Sequence, residues 1–132
     1  MTTALYAGML AILFIVLSFR VIAKRNQYKV AIGSNGEELL QRAIRVHANF
    51  AEYVPFALLL MFFAEYSGLA PLYLHILGIA LLLGRLSHAY GVSQQKEPLK
   101  FRVFGMLLCL LVILAAALAI VVLYALRSGW LL

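Results

Sequence analysis

Polar side chains recur at helical spacing in the segment Gln41-Arg-Ala-Ile-Arg-Val-His-Ala-Asn-Phe-Ala-Glu-Tyr-Val-Pro55. Arg42, Arg45, Asn49, Glu52 and Tyr53 stand three, four, three and one residues apart, which sets them along one stripe of an α-helix over about three turns. Guanidiniums bind carboxylates and a carboxylate accepts from an ammonium, while an amide and a phenol both donate and accept. Arg85 and His88, three apart, together with Tyr90 and Arg102 add to this set at the same membrane level. A cationic pocket with one internal carboxylate suits an anionic zwitterion, a ligand carrying carboxylates and an amino group. Pro55 lacks an N–H and frees the carbonyl of Ala51, so a kink beside Glu52 is expected to open room there. The plain alternative is an Arg45–Glu52 ion pair tying helices together, with Asn49 bonding across an interface.

Helices in lipid must position these groups. Of 132 residues, 65% are hydrophobic and 12% charged, far from the balance of soluble domains. The length holds about four membrane-crossing segments and no separate soluble catalytic module, which gives a single domain over residues 1–132. The apolar runs and turn signals put helices at about 4–23, 37–66, 72–90 and 99–126, an all-α integral membrane protein. Lys24 to Gly36 reads as a loop of about a dozen residues, with Ser34 or Asn35 as cap of the second helix. Gly91 to Pro98 reads as a second polar loop, and Ser67-Gly68 before Pro71 as a tight connection. Charged groups within a span are costly and are expected to face the bundle interior or a water-filled cavity.

The basic residues are unevenly placed. Lys24, Arg25 and Lys29, with Arg42 and Arg45 nearby, flank the first loop; Lys96, Lys100 and Arg102 flank the second. The positive-inside rule therefore sets both polar loops in the cytoplasm and both termini outside. This orientation accounts for the net charge of +6 without a nucleic-acid partner. The first apolar run has no basic segment before it and no small-residue cleavage site after it, so it is expected to stay as a helix. Tyr6, Phe62, Tyr66, Tyr73, Tyr124 and Trp130 fit an interfacial aromatic belt, and His75 a helix contact. Cys109, alone in an apolar run, reads as a buried small residue. No metal-binding or serine-hydrolase motif occurs: His-Glu-x-x-His, Cys-x-x-Cys and Gly-x-Ser-x-Gly are all missing.

Arg45-x-His-x-Asn-x-x-Glu-Tyr-x-Pro55, preceded by a basic loop and followed by Arg85-x-x-His88, resembles the MAPEG family, the membrane-associated proteins in eicosanoid and glutathione metabolism, and in particular its small bacterial branch. The resemblance covers essentially the whole chain. It implies a left-handed four-helix bundle in a bacterial inner membrane, assembled as a homotrimer with glutathione bound between subunits near the cytoplasmic side. Carried over residue by residue, Arg45, Asn49, Glu52 and Tyr53 match the family's glutathione contacts, and His47 a contact of its microsomal transferase branch. Arg85, His88, Tyr90 and Arg25 are further expected contacts. The resemblance makes Arg102 the arginine that stabilises the glutathione thiolate, with Lys100 as competitor. Val92 stands one turn beyond His88, where the family's transferases carry a tyrosine.

Three function classes follow. The first is a glutathione-dependent transferase or peroxidase acting on lipophilic electrophiles, with glutathione as co-substrate and no metal. The second is a non-enzymatic lipid-binding or scaffolding protein of the same fold. The third, a small proton-coupled transporter, would need an acid reachable from both sides, whereas Glu52 stands toward one surface beside Arg45.

Overall fold

A computed structural model describes residues 1–96 and 98–128; the expected belt residue Trp130 lies outside them. Four helices follow one another: α1 (Thr2–Tyr28), α2 (Glu38–Tyr66), α3 (Pro71–Ser93) and α4 (Leu99–Arg127). Each is long and apolar enough to cross a membrane, and among the described residues there is no strand. The 29 residues of α2 and of α4 reach about 43 Å at 1.5 Å per residue, beyond a hydrocarbon core of about 30 Å. The surplus carries the polar ends.

The ends of α1 and α3 and the cap of α2 differ from the sequence reading. Lys24 to Tyr28 belong to α1 and not to the loop, because Lys, Arg and Gln extend a helix well once it leaves the lipid. Lys29 ends it in the left-handed conformation, φ 56°, and the Arg25 carbonyl receives the N–H groups of Lys29 and Val30. In the same way α3 continues through Ser93 before the second loop begins. The cap of α2 is Glu37, not Ser34 or Asn35, and it makes no side-chain cap bond. Ser34 contributes its carbonyl to the Glu37 N–H, while Asn35, Gly33 and Gly36 supply the positive-φ turns.

At the opposite end α2 closes in a Schellman arrangement, with Leu69 N–H on the Ala64 carbonyl and Gly68 N–H on the Glu65 carbonyl. Gly68 has φ 89°, which suits a residue without a Cβ. This tight turn starts α3 at Pro71, whose missing N–H costs nothing in a first turn. α2 passes through Pro55 as continuous helix.

The interior is one apolar core. Leu10 and Leu17 of α1, Val46, Phe50 and Met61 of α2, Leu81 of α3, and Cys109, Val112 and Ala116 of α4 meet there. Outward faces are apolar as well, with Ile12 and Phe19 of α1 and Leu111, Leu118 and Val121 of α4 exposed, as a lipid-solvated bundle requires. Tyr66, Tyr73 and Tyr124 stand exposed where a belt would have them. Tyr6 does not: it is buried, its ring fills the space over Gly78, and its hydroxyl meets His75 Nδ1 at 2.9 Å.

The close approach of α3 and α4 bears directly on the site. A Cβ on Gly105 would stand 2.4 Å from the Gly84 carbonyl oxygen and 2.7 Å from His88 Cβ; one on Gly91 would stand 2.9 Å from the Arg102 nitrogen. Small residues let helix backbones meet where lipid gives no hydrophobic drive to associate. Here they bring the start of α4 against the end of α3.

Candidate functional site

At the end of the bundle that holds the two polar loops, a cavity of about 160 Å³ opens between α2, α3 and α4. Gln41, Arg42, Arg45 and Asn49 line it from α2, His88 and Val92 from α3, and Arg102 from α4. The local sequence explains the set. Gln41, Arg45 and Asn49 repeat every four residues along α2, and His88 and Val92 do the same along α3, so each helix turns one face to the cavity. Gly91 and Gly105 let α4 come close enough to add Arg102.

Arg42 is braced from two sides. Its Nε donates to Glu38 at 2.9 Å, and its terminal nitrogens donate to the carbonyls of Val92 at 3.3 Å and Gln95 at 3.5 Å. A guanidinium on the Val92 carbonyl in the last turn of α3 and on the loop just beyond it complements the negative end of that helix. Arg20 of α1 does similar work, donating to Ser93 Oγ at 2.8 Å, while Ser93 donates to the Ala89 carbonyl.

Arg45 and Asn49 share the cavity, but Glu52 and Tyr53 are not among its lining residues. Successive residues turn by about 100° on a helix, so Glu52 and Tyr53 cannot share a direction. Glu52 faces outward, exposed, and Tyr53 turns inward to pack against the core. Arg45 and Glu52 form no ion pair among the described residues, so the pairing alternative finds no support within one chain. Arg45, also exposed, belongs to both the cavity and the outward stripe.

His47 points toward α1, with Nε2 3.0 Å from Ser18 Oγ and its ring 4.7 Å from that of Phe14. Beside it runs an apolar cleft of about 260 Å³ between α1 and α2, bordered by Ala7, Ala11, Phe50, Ala51 and Pro55. Tyr90 stands on another face, 55% exposed and edge-on to Phe101 at 5.2 Å. Arg25 closes its own loop, donating to the carbonyls of Ala31 at 3.1 Å and Gly33 at 3.0 Å. Arg85 sits behind the cavity, 1% exposed, donating to Asn49 Oδ1 at 2.8 Å and to the Gly105 carbonyl at 3.0 Å. Of the two basic residues opening α4, Arg102 lines the cavity and Lys100 does not.

Gln41 and Val92 escaped the sequence reading as site residues. Each stands four residues from a recognised polar position, so carrying each stripe one turn further would have found both. Neither the glycine contacts nor the inward turn of Arg85 has such a signal.

Four apolar spanning helices with a basic, polar cavity at one end define an integral membrane four-helix bundle built around an internal polar site. The sequence matches the model of the MAPEG family over residues 3–122, and the chain belongs to that family. It is also similar to the inner membrane protein YecN of Escherichia coli K12, with 50% identity over 91 residues, 69% of this chain and 70% of that protein. YecN of Escherichia coli O6:H1 matches to the same extent.

Proposed function

We propose that the loop-end cavity binds glutathione and that the protein is a glutathione-dependent transferase or peroxidase acting on lipophilic electrophiles. The observation that carries this reading is the convergence of Arg42, Arg45, Asn49, His88 and Arg102 on one cavity inside a membrane bundle. Glutathione has two carboxylates, an amino group and a thiol. Arginines bind its carboxylates through charge-assisted hydrogen bonds. The Arg102 guanidinium, beside the thiol, favours the thiolate over the neutral form. The thiol proton leaves to water, the sulfur lone pair forms a bond to an electrophilic carbon, and the leaving group departs with its electron pair. A lipophilic electrophile reaches the site from the bilayer.

One chain supplies part of such a site. At about 160 Å³ the cavity is smaller than the roughly 300–1,000 Å³ typical of ligand pockets. Arg45 and Glu52 meanwhile face outward on a membrane-spanning helix, where exposure to lipid is costly. A homotrimer covers both: a second copy packs against the α2 stripe, Glu52 accepts from the glutathione amino group across the boundary, and Tyr53, His47 and Arg25 belong to the periphery of the site. The polar loops are cytoplasmic and the termini outside, in a bacterial inner membrane.

A second reading has one observation in its favour. Val92 lines the cavity at the position where transferases of the family carry a tyrosine, so that hydroxyl is missing, and a non-enzymatic lipid-binding protein of the same fold would not need it. Ultraviolet difference spectroscopy of glutathione added to the purified protein separates the two. A thiolate band near neutral pH that disappears in Arg102→Gln supports the transferase. Absence of a thiolate band, with or without glutathione binding, contradicts the transferase and favours the non-enzymatic protein.

A further inference from the structure

Arg85 is a cation inside a membrane-spanning helix with neutral neighbours. It is 1% exposed, and its partners among the described residues are Asn49 Oδ1, the Gly105 carbonyl and, at 3.6 Å, Met106 Sδ. No carboxylate reaches it among the described residues, and its Nε has no hydrogen-bond partner there. A buried guanidinium held by neutral acceptors is an expensive way to fasten three helices together.

Its geometry has a second effect. A guanidinium only donates, so the Asn49 amide must present its oxygen to Arg85. The amide nitrogen is then left for another partner, on a residue that lines the cavity. That nitrogen has no partner among the described residues and is not among the buried, unsatisfied atoms. It can donate an N–H to whatever occupies the cavity. The close glycine contact between Gly84 and Gly105 completes the fork, because it brings the Gly105 carbonyl within 3.0 Å of the second guanidinium nitrogen.

We propose that Arg85 is a positioning residue: from behind the cavity it fixes the Asn49 amide so that its NH2 group, and not its oxygen, is left to donate to an anionic group of the bound ligand. Arg85 polarises that amide through the 2.8 Å hydrogen bond, which strengthens its donors. The identity of the anion as part of glutathione rests on the function proposed above; the Arg85–Asn49 coupling does not.

The test uses the full-length protein in detergent with ¹⁵N-labelled asparagine, observed by NMR. The chain has asparagine at positions 26, 35 and 49, so three side-chain amide pairs appear, and Asn49→Asp assigns the third. In ligand-free protein the Asn49 pair is expected at shifts distinct from those of exposed Asn26 and Asn35. In Arg85→Met it should move to the exposed range while the other two pairs stay in place. Arg85→Lys, which keeps the charge and loses the fork, should move it partway, and this variant carries the test should Arg85→Met fail to fold. An Asn49 pair unchanged in a folded Arg85 variant overturns the proposal. Glutathione added to wild type should shift the Asn49 pair, and Arg85→Met should weaken its binding about tenfold. Glutathione that binds by calorimetry yet leaves the Asn49 pair unmoved also overturns the donor role. Absence of glutathione binding alongside an Arg85-dependent Asn49 pair upholds the coupling and defeats the glutathione reading instead.

Discussion

The two ends of this bundle use similar polar residues in opposite ways. At the end carrying the N-terminus, the Glu65 carboxylate receives the N–H groups of Thr2 and Thr3, and the Tyr6 hydroxyl meets His75 Nδ1. The polar groups there are joined to one another, tying α1 to α2 and α3. At the loop end Arg45 and Asn49 line the cavity together with Arg42, His88 and Arg102, and neither Arg45 nor the Asn49 amide nitrogen has a hydrogen-bond acceptor among the described residues. A polar group in a membrane that finds its partner inside the chain serves assembly, whereas one aimed at a cavity serves a ligand. The chemistry of a residue does not say which; its direction does.

Substitutions can break or sharpen this contrast. Gly105→Val should have the largest effect, because a Cβ there meets the Gly84 carbonyl and His88. Overpacking of this kind costs about 1–3 kcal/mol, read as earlier thermal unfolding in detergent, and loss of the cavity should accompany it. Gly8→Ala, at a position with nothing within 4 Å of the new Cβ, should change neither.

Arg45→Ala removes a cavity cation and should weaken glutathione binding by about 1.5–3 kcal/mol, roughly ten- to a hundredfold, with little change in unfolding. Calorimetry beside a thermal melt reads both. Glu65→Gln should do the reverse: α1 loses a charged cap, at about 1 kcal/mol of stability, while glutathione affinity stays at the wild-type value. If Glu65→Gln weakened binding as Arg45→Ala does, the division between the two ends would fail. Tyr6→Phe should be the mildest change, about 0.5–1 kcal/mol for one hydrogen bond, visible in the melt and silent in the titration.

Much of this arrangement was legible in the residues. Four spans, their order and the tight turn at Gly68 follow from apolar runs and turn chemistry, and the four-residue repeat of α2 placed Arg45 and Asn49 together. What stayed hidden depends on helix rotation and on neighbours. Spacing put Glu52 and Tyr53 on the Arg45 stripe, yet the bundle turns one outward and the other inward. Arg85 and His88 share a face of α3, but the short α3–α4 distance allowed by Gly84 and Gly105 draws Arg85 behind the cavity and leaves His88 in its lining. Polar residues past the membrane surface extend α1 to Tyr28, since hydropathy marks where lipid ends and not where a helix ends. Tyr6 matches a belt by composition; the slot over Gly78 that buries it appears once α1 and α3 are packed.

The most direct test of the central claim is calorimetric titration of glutathione into the purified wild-type protein in detergent, repeated with Arg45→Ala and Glu52→Gln. Saturable binding in wild type, weakened at least tenfold in each variant, is the predicted result. No binding in wild type, or binding unaffected by either substitution, would contradict a glutathione site at the loop end.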